Sequence, residues 1–128
     1  FDVVACRVAA HHFEDVPRAL GEMARVSRAL VLVADNLFLG DEVEEAERLR
    51  DPTHVRCHSE DEWRKLFAGA GLAVEDVRSF DKRIELGPWL ERAGCTGGEA
   101  ERVRELLSDR IDGHHLVLTR IAFKGRKT

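Results

Sequence analysis

Short apolar runs alternate along this chain with stretches in which apolar residues recur at helical spacing. The run Asp2 to Arg7 is rich in valine, and the run Ala29 to Ala34 is unbroken, which is typical of strands buried on both faces. Between them, Asp15 can cap a helix that carries Pro17 in its first turn. Two buried strands joined by a helix predict a right-handed parallel crossover, the repeating unit of an open α/β sheet.

The rest of the pattern predicts more helices and strands. After a loop at Leu37 to Gly40, a charged helix is expected over Asp41 to Arg50, and its thin apolar face fits either a lid or a solvated connecting helix. Ser59 and Glu62 form a capping-box pattern ahead of the clearest helix, which ends at Gly71. The later predicted elements are a strand with a bulge over Leu72 to Ile84, helices at Trp89 to Ala93 and about Glu99 to Asp109, and a strand over His115 to Phe123.

Two segments of the chain resemble a known protein family. The string FDVVACRVAAHHFEDVPRALGEMARV with LVLVADN, and the later run ERLRDPTHVRCHSEDEWRKLFAGAGL, are similar to successive parts of class I S-adenosylmethionine-dependent methyltransferases. The group in question includes the ubiquinone and menaquinone biosynthesis methylases. Two departures stand out. Ser27-Arg28-Ala29 replaces the family's Pro-Gly-Gly turn, and the family's glycine-rich cofactor loop would lie upstream of Phe1.

The resemblance implies a fold for the whole chain. Residues 1–128 are expected to form a single domain, the C-terminal half of the class I methyltransferase fold. That half is a partial doubly wound (Rossmann-like) α/β structure, a mixed sheet of about four strands with helices on both faces. In the family the final strand inserts antiparallel between its two predecessors, so the expected order is first, second, fourth, third. Ligands of such sheets bind beyond the carboxyl ends of the strands, here the rim made by Cys6 to Phe13 and Asp35 to Gly40.

The resemblance also implies roles for individual residues. Cys6, Arg7 and Val8 would bind the cofactor, beside the amino acid part of S-adenosylmethionine. His11 or His12 would face the methyl acceptor. A histidine at that place is a candidate catalytic base, because its unperturbed pKa lies near neutrality.

Asp35 and Asn36 are expected to line the substrate pocket. Asp35 and the histidines also have plainer structural alternatives. Asp35 could instead cap the turn after the second strand. The His-His-Phe turn could simply satisfy backbone groups and pack Phe13 under the helix. Trp63 and Trp89 are expected to be core residues rather than substrate-stacking ones.

Composition bounds the partners. The 128 residues carry a formal net charge of −4 and a pI near 5.9, so no attraction to nucleic acid or to an anionic membrane is expected. No signal segment and no bilayer-length apolar run is present, and a cytoplasmic location is the expectation. The basic end, Lys124, Arg126 and Lys127, is expected to be a solvated terminus.

Cysteines and histidines do not predict a metal site. Cys6, Cys57 and Cys95 are odd in number and lack C-x-x-C spacing, which favours free thiols in a reducing compartment. His54 and His58 bracket Cys57 at tolerable ligand spacing, but the sequence shows no second matching cluster. The prediction is therefore that no metal is bound.

Three hypotheses about function remain open. The first, favoured by a start on a strand at Phe1 without Met, is a piece of a methyltransferase that acts on a small-molecule acceptor. In that case binding of S-adenosylmethionine by this chain alone is expected to be weak or absent. The second is a non-catalytic remnant that self-associates through an exposed sheet edge. A homodimer, or association with the missing N-terminal half, is expected. The third is an unrelated small α/β binding module.

Overall fold

The computed structural model describes all 128 residues. Its strands are β1 (Val3–Arg7), β2 (Leu30–Asn36), β3 (Leu72–Glu85), β4 (Ile111–Asp112) and β5 (His115–Lys127). Its α-helices are α1 (Val16–Val26), α2 (Asp41–Arg50), α3 (Glu60–Gly69), α4 (Leu86–Arg92) and α5 (Gly97–Leu106). Single 3₁₀ turns occur at Ala10–His12 and Ser108–Arg110.

The five strands form one mixed sheet in the order β1-β2-β5-β3, and the two-residue β4 pairs with β5. β1 and β2 are parallel, with Val3 opposite Leu30. β5 runs antiparallel between β2 and β3, and β3 carries an irregularity between Val74 and Asp76. The expected strand order, the antiparallel last strand and the bulge are all confirmed; the short β4 was not predicted.

Local capping signals fix where the helices begin. The Asp15 side chain accepts a hydrogen bond of 3.0 Å from the Arg18 amide at the start of α1, and Pro17 lies in the first turn. At α3, Ser59 Oγ accepts from the Glu62 amide at 3.2 Å, while Glu62 Oε1 accepts from the Ser59 amide at 3.1 Å. Both predicted caps are therefore confirmed.

Helices cover both faces of the sheet, as expected. On one face α1 and α3 pack on Val33 and Phe123, and the ring centroids of Trp63, Phe67 and Phe123 lie 5.3–6.4 Å apart. Because strand side chains alternate, Leu116 and Leu118 lie on the opposite face from Phe123, where they join a second apolar cluster. The second cluster contains buried residues of α2, α4 and α5, including Trp89.

The charged helix α2 is packed against the rest of the chain and is not a solvated connector. Val43 and Ala46 are buried in the second cluster. The guanidinium of Arg50 lies 4.2 Å from the centre of the Trp89 ring and donates two hydrogen bonds to the Trp89 carbonyl. α2 is therefore a packed element of the domain core. No helix of the chain is long and apolar enough to cross a bilayer.

Several element boundaries differ from the sequence expectation: β2 ends at Asn36 rather than Ala34, and α5 covers Gly97–Leu106 rather than about Glu99 to Asp109. α4 begins at Leu86, three residues before the predicted start, because Pro88 falls in its first turn, where a missing N–H does no harm. β5 continues to Lys127, beyond the predicted end at Phe123, while Arg126 and Lys127 are exposed to solvent, as expected of a solvated basic terminus. Phe123 faces the apolar core, while Lys124 pairs with Glu75 on the outer face at 3.3 Å. The charged residues at the end of the chain therefore continue the strand, which the sequence pattern did not predict.

Part of the sheet remains open. Val3 is 47% exposed and Leu32 is 38% exposed, and both lie on the face of β1 and β2 that α1 does not cover. β1 pairs only with β2. The Asp2 carbonyl and the Val8 amide bond to β2, so the parallel pattern directs the amides and carbonyls of Val3, Ala5 and Arg7 to the unpaired edge.

Candidate active site

Three segments meet where the parallel strands β1 and β2 end. β1 leads into the 3₁₀ turn Ala10–His12, and β2 ends at Asp35 and Asn36. The segment between α2 and α3 closes over them, because the His11 carbonyl accepts hydrogen bonds from the amides of Val55 (2.8 Å) and Arg56 (3.1 Å). The sheet topology thus collects the predicted histidines and Asp35 at one rim.

His11 and Asp35 form a buried hydrogen-bonded pair at this rim. His11 Nδ1 lies 2.6 Å from Asp35 Oδ1, and Asp35 is 1% exposed. Burial alone lowers the pKa of His11, but the hydrogen bond and the charge of Asp35 outweigh it, so the pKa of His11 is raised. His11 therefore holds its proton more tightly than a free imidazole does.

Asp35 fixes the local backbone as well as His11. Its Oδ1 also accepts a hydrogen bond of 2.8 Å from the Asn36 amide, while Oδ2 is buried without a hydrogen-bond partner. The capping role considered for Asp35 thus occurs together with the contact to His11. Asn36 is the last residue of β2, and its Oδ1 accepts a hydrogen bond of 3.3 Å from Nε of Arg120 on the neighbouring strand β5.

His12 is exposed and is held from one side only. Its Nδ1 lies 3.1 Å from the Thr53 carbonyl and 3.2 Å from Thr53 Oγ1, and the Thr53 hydroxyl donates to Asp51 at 2.7 Å. A carbonyl can only accept, so His12 Nδ1 must carry the hydrogen. In the neutral imidazole Nε2 is then an unprotonated acceptor, which is the state that a general base requires.

The backbone is strained where β1 ends. Val8 has φ of 50°, a left-handed conformation that is an outlier for a β-branched residue and costs on the order of 1–3 kcal/mol. Its amide bonds to the Ala34 carbonyl at 2.7 Å. Strain of this kind concentrates at functional sites, and the rim of the sheet is where ligands of such folds bind.

The cofactor candidates differ in what they offer. Arg7 is exposed, forms no ion pair, and its amide and carbonyl point to the open edge. Cys6 is partly buried against the cluster under α1, and burial raises the pKa of its thiol. Together with Ala5 and Leu32, Arg7 and Cys6 line a depression of about 420 Å³ on the uncovered face. A second groove, of about 580 Å³ between α1 and α3, is lined by none of the predicted site residues.

A neighbouring cluster was missed by sequence reasoning. Glu44, Glu47, His54 and Cys57 are all buried beside His11, whose ring centroid lies 5.5 Å from that of His54. Glu44 also makes a loose contact of 3.9 Å with Arg48, one turn further along α2. The i,i+3 spacing of the two glutamates was the available signal, since it puts both on one face of α2.

The cluster has unusual proton affinities. Burial raises the pKa of Glu44, but hydrogen bonds from His54 and from the Cys57 amide outweigh it and lower that pKa overall. Burial raises the pKa of Glu47. The pKa of the Cys57 thiol is also raised, mainly by burial and secondly by the nearby carboxylates.

Comparison with known proteins adds to the geometry. The family profile described as a methyltransferase domain matches residues 1–31. The chain is 36% identical over 115 residues to the uncharacterized methyltransferase YcgJ of Bacillus subtilis, covering 84% of this chain and 44% of that protein. It is 33% identical over 99 residues to the uncharacterized protein YafE of Escherichia coli, covering 72% of this chain and 48% of YafE.

Solved structures give the same result for the fold. The crystal structure of YcgJ superposes with a TM-score of 0.88 at 30% identity, over 99% of this chain and 64% of that one. The BH2331 protein of Bacillus halodurans superposes with a TM-score of 0.87 at 24% identity, over 99% of this chain and 70% of that one. The chain thus spans about half the length of the curated relatives it matches, in their C-terminal part.

Proposed function

Because the chain belongs to the class I S-adenosylmethionine-dependent methyltransferases and matches the C-terminal part of their fold, we propose that it is one domain of a longer enzyme that methylates a small molecule. The observation that carries this proposal is the state of His12. Its Nδ1–H is held by Thr53, which leaves Nε2 as a proton acceptor at the rim of the sheet.

His12 takes the acceptor's proton in this proposal. When bound, the cofactor would supply an electrophilic methyl group on a sulfonium sulfur: as the hydroxyl oxygen or amine nitrogen of the acceptor bonds to the methyl carbon in line, the carbon–sulfur bond breaks and a neutral thioether leaves. His12 Nε2 accepts the proton that the acceptor loses as its bond to the methyl carbon forms. Positioned general bases of this kind contribute about 10²–10⁴-fold in rate.

The buried pair beside it has a positioning role. His11 contacts Asp35 rather than solvent, and its ring centroid lies 4.2 Å from that of His12. The backbone carbonyl of His11 ties the turn to the segment that carries Thr53. We assign to His11 and Asp35 the role of holding His12 in place.

The cofactor contacts proposed for this chain lie at the end of β1. The exposed guanidinium of Arg7 suits the carboxylate of the cofactor's amino acid part, and the strained Val8 turns the backbone at the same point. Since the glycine-rich loop of the family is not among residues 1–128, the isolated chain should bind S-adenosylmethionine weakly or not at all. Three free cysteines support a reducing compartment, the cytoplasm.

The test compares His12→Ala with wild type in the natural polypeptide that contains residues 1–128. We expect a loss of methyl transfer of about 10²-fold or more, while the Kd for S-adenosylmethionine changes little. His114→Ala, an exposed histidine just before β5, is the matched control and should retain activity. Equal losses of transfer and cofactor binding in His12→Ala would return His12 to a structural role.

A second candidate function is supported by the open sheet edge. β1 has one unpaired side and none of the lysines or prolines that usually protect such edges. The chain alone would then self-associate, with Val3 and Leu32 at the contact. Light scattering across micromolar concentrations should show a dimer that Val3→Lys weakens, whereas a wild-type chain that stays monomeric at high micromolar concentration would eliminate this candidate.

A further inference from the structure

The buried cluster beside the candidate active site has a composition that its surroundings do not explain. Glu44 and Glu47 lie on one face of α2, and His54 and Cys57 come from the segment between α2 and α3. All four residues are at most 6% exposed. Acidic side chains are rarely buried this deeply unless they are paired or bind a metal.

The spacing within the cluster matches that of metal ligands. Glu47 Oε2 lies 3.4 Å from His54 Nδ1 and 3.4 Å from Cys57 Sγ. Adjacent ligand atoms of a tetrahedral zinc ion are about 3.3–3.6 Å apart, given zinc bonds of about 2.0 Å to nitrogen and oxygen and about 2.3 Å to sulfur. Little movement is therefore needed to place one ion between these three atoms.

Glu44 completes the arrangement. Its Oε1 accepts hydrogen bonds from His54 Nε2 at 3.1 Å and from the Cys57 amide at 2.9 Å. A metal-binding histidine usually donates its other ring N–H to a carboxylate in this way. Glu44 thus lies on the side of the imidazole away from Nδ1, where it would orient the ring rather than bind the ion, and its Oε2 is buried without a hydrogen-bond partner.

The charges point the same way. Two carboxyl groups and a thiol are buried together, and the half-exposed guanidinium of Arg48 lies 3.9 Å from Glu44. Ionising Glu47 and Cys57 to bind a metal would place anions together in a buried site, which is costly without a compensating cation. A divalent ion would balance them, and Cys57 would bind as the thiolate, releasing its proton to solvent.

We propose that Glu47, His54 and Cys57 bind a zinc ion, with Glu44 orienting the His54 ring. One carboxylate oxygen, one nitrogen and one sulfur are ligands that zinc accepts, and water would take the fourth position. The ion would fasten the segment after α2 to that helix. Because Thr53, which holds His12, precedes His54 by one residue, the zinc would stiffen the wall of the candidate active site without joining the chemistry.

The test uses the chain stripped of metal with a chelator and then supplied with ZnCl₂ or CoCl₂. We expect one zinc per chain after dialysis, by elemental analysis, and a cobalt form with a thiolate-to-cobalt charge-transfer band and the visible bands of tetrahedral cobalt. Zinc should also raise the Tm. Losing a residue that only hydrogen-bonds to a metal ligand weakens metal binding by about 10–100-fold. Cys57→Ala and Glu47→Gln each remove a ligand, so they should weaken zinc binding by more than that.

Cys95→Ala is the matched control, because it removes a buried thiol from the second apolar cluster, away from His54. It should bind zinc and give the cobalt spectrum like the wild type. Absence of stoichiometric zinc in the wild type would overturn the proposal, and so would equal binding by wild type and Cys57→Ala. If Cys57→Ala does not fold, Glu47→Gln and the thiolate band of the wild type decide the matter.

Discussion

Replacing Asp35 by asparagine removes the charge beside His11 while keeping the shape of the side chain. In the wild type, Asp35 Oδ1 accepts hydrogen bonds from His11 Nδ1 at 2.6 Å and from the Asn36 amide at 2.8 Å. Asparagine keeps an oxygen for both, but the bond with His11 is no longer charge-assisted. Its amide nitrogen takes the place of Oδ2, which is buried without a partner.

The cost follows from these contacts. A hydrogen bond to a charged group contributes about 1.5–3 kcal/mol and a neutral one about 0.5–1.5, so the bond with His11 weakens by about 1–1.5 kcal/mol. Burying an amide N–H without a partner adds about 1–3 kcal/mol, partly offset because Oδ2 is already unpaired. We expect a net loss of about 2–3 kcal/mol, or about 7–11 °C in Tm for a chain of this length.

The loss should depend on pH with a defined sign. The pKa of His11 is raised in the folded chain because Asp35 outweighs burial. A raised folded pKa gives stability that is fully present below the unfolded pKa of about 6.5 and disappears as pH rises through the folded value. The difference between wild type and Asp35→Asn is therefore largest near pH 6 and smaller at pH 9.

Urea unfolding followed by tryptophan fluorescence at both pH values, with a chelator present, measures this difference. Asp112→Asn is the control, because Asp112 forms only an exposed pair with Arg83 and should change stability by less than about 0.5 kcal/mol. A loss in Asp35→Asn that is the same at pH 6 and pH 9, or that does not exceed the control's, would refute the reasoning.

Two further predictions concern stability. Gly125→Ala should destabilise the folded chain by about 1–3 kcal/mol, because a Cβ there would lie 2.6 Å from Phe67 Cδ2. The control is Gly98→Ala, in open space on α5, which should be neutral or stabilising. Equal urea midpoints for the two variants would contradict the packing argument. Ser59→Ala should cost about 0.5–2 kcal/mol through loss of the α3 cap, and an unfolding curve no different from that of Ser79→Ala, an exposed strand serine, would contradict it.

Much of the fold could be predicted because its signals are local. The runs that became β1 and β2, the cap at Asp15 and the box at Ser59 and Glu62 each lie within a few residues. The antiparallel insertion of the last strand is different, since a strand's direction leaves no trace in its periodicity. That feature came from the family resemblance.

The missed features depend on contacts between distant residues. Glu44 and Glu47 look like surface residues of a charged helix until the segment carrying His54 and Cys57 closes over them. The tautomer of His12 likewise depends on Thr53, 41 residues further along the chain. Sequence reasoning placed the histidines just beyond the end of β1, where the structure has them, but it could not assign them different partners.

The central claim is that residues 1–128 belong to an enzyme that uses S-adenosylmethionine. Isothermal titration calorimetry of the natural polypeptide containing them, with S-adenosylmethionine and with its demethylated product, tests this most directly. We expect one site per chain for both ligands, with weaker binding in Arg7→Ala. A folded polypeptide with no measurable affinity for either ligand would contradict it.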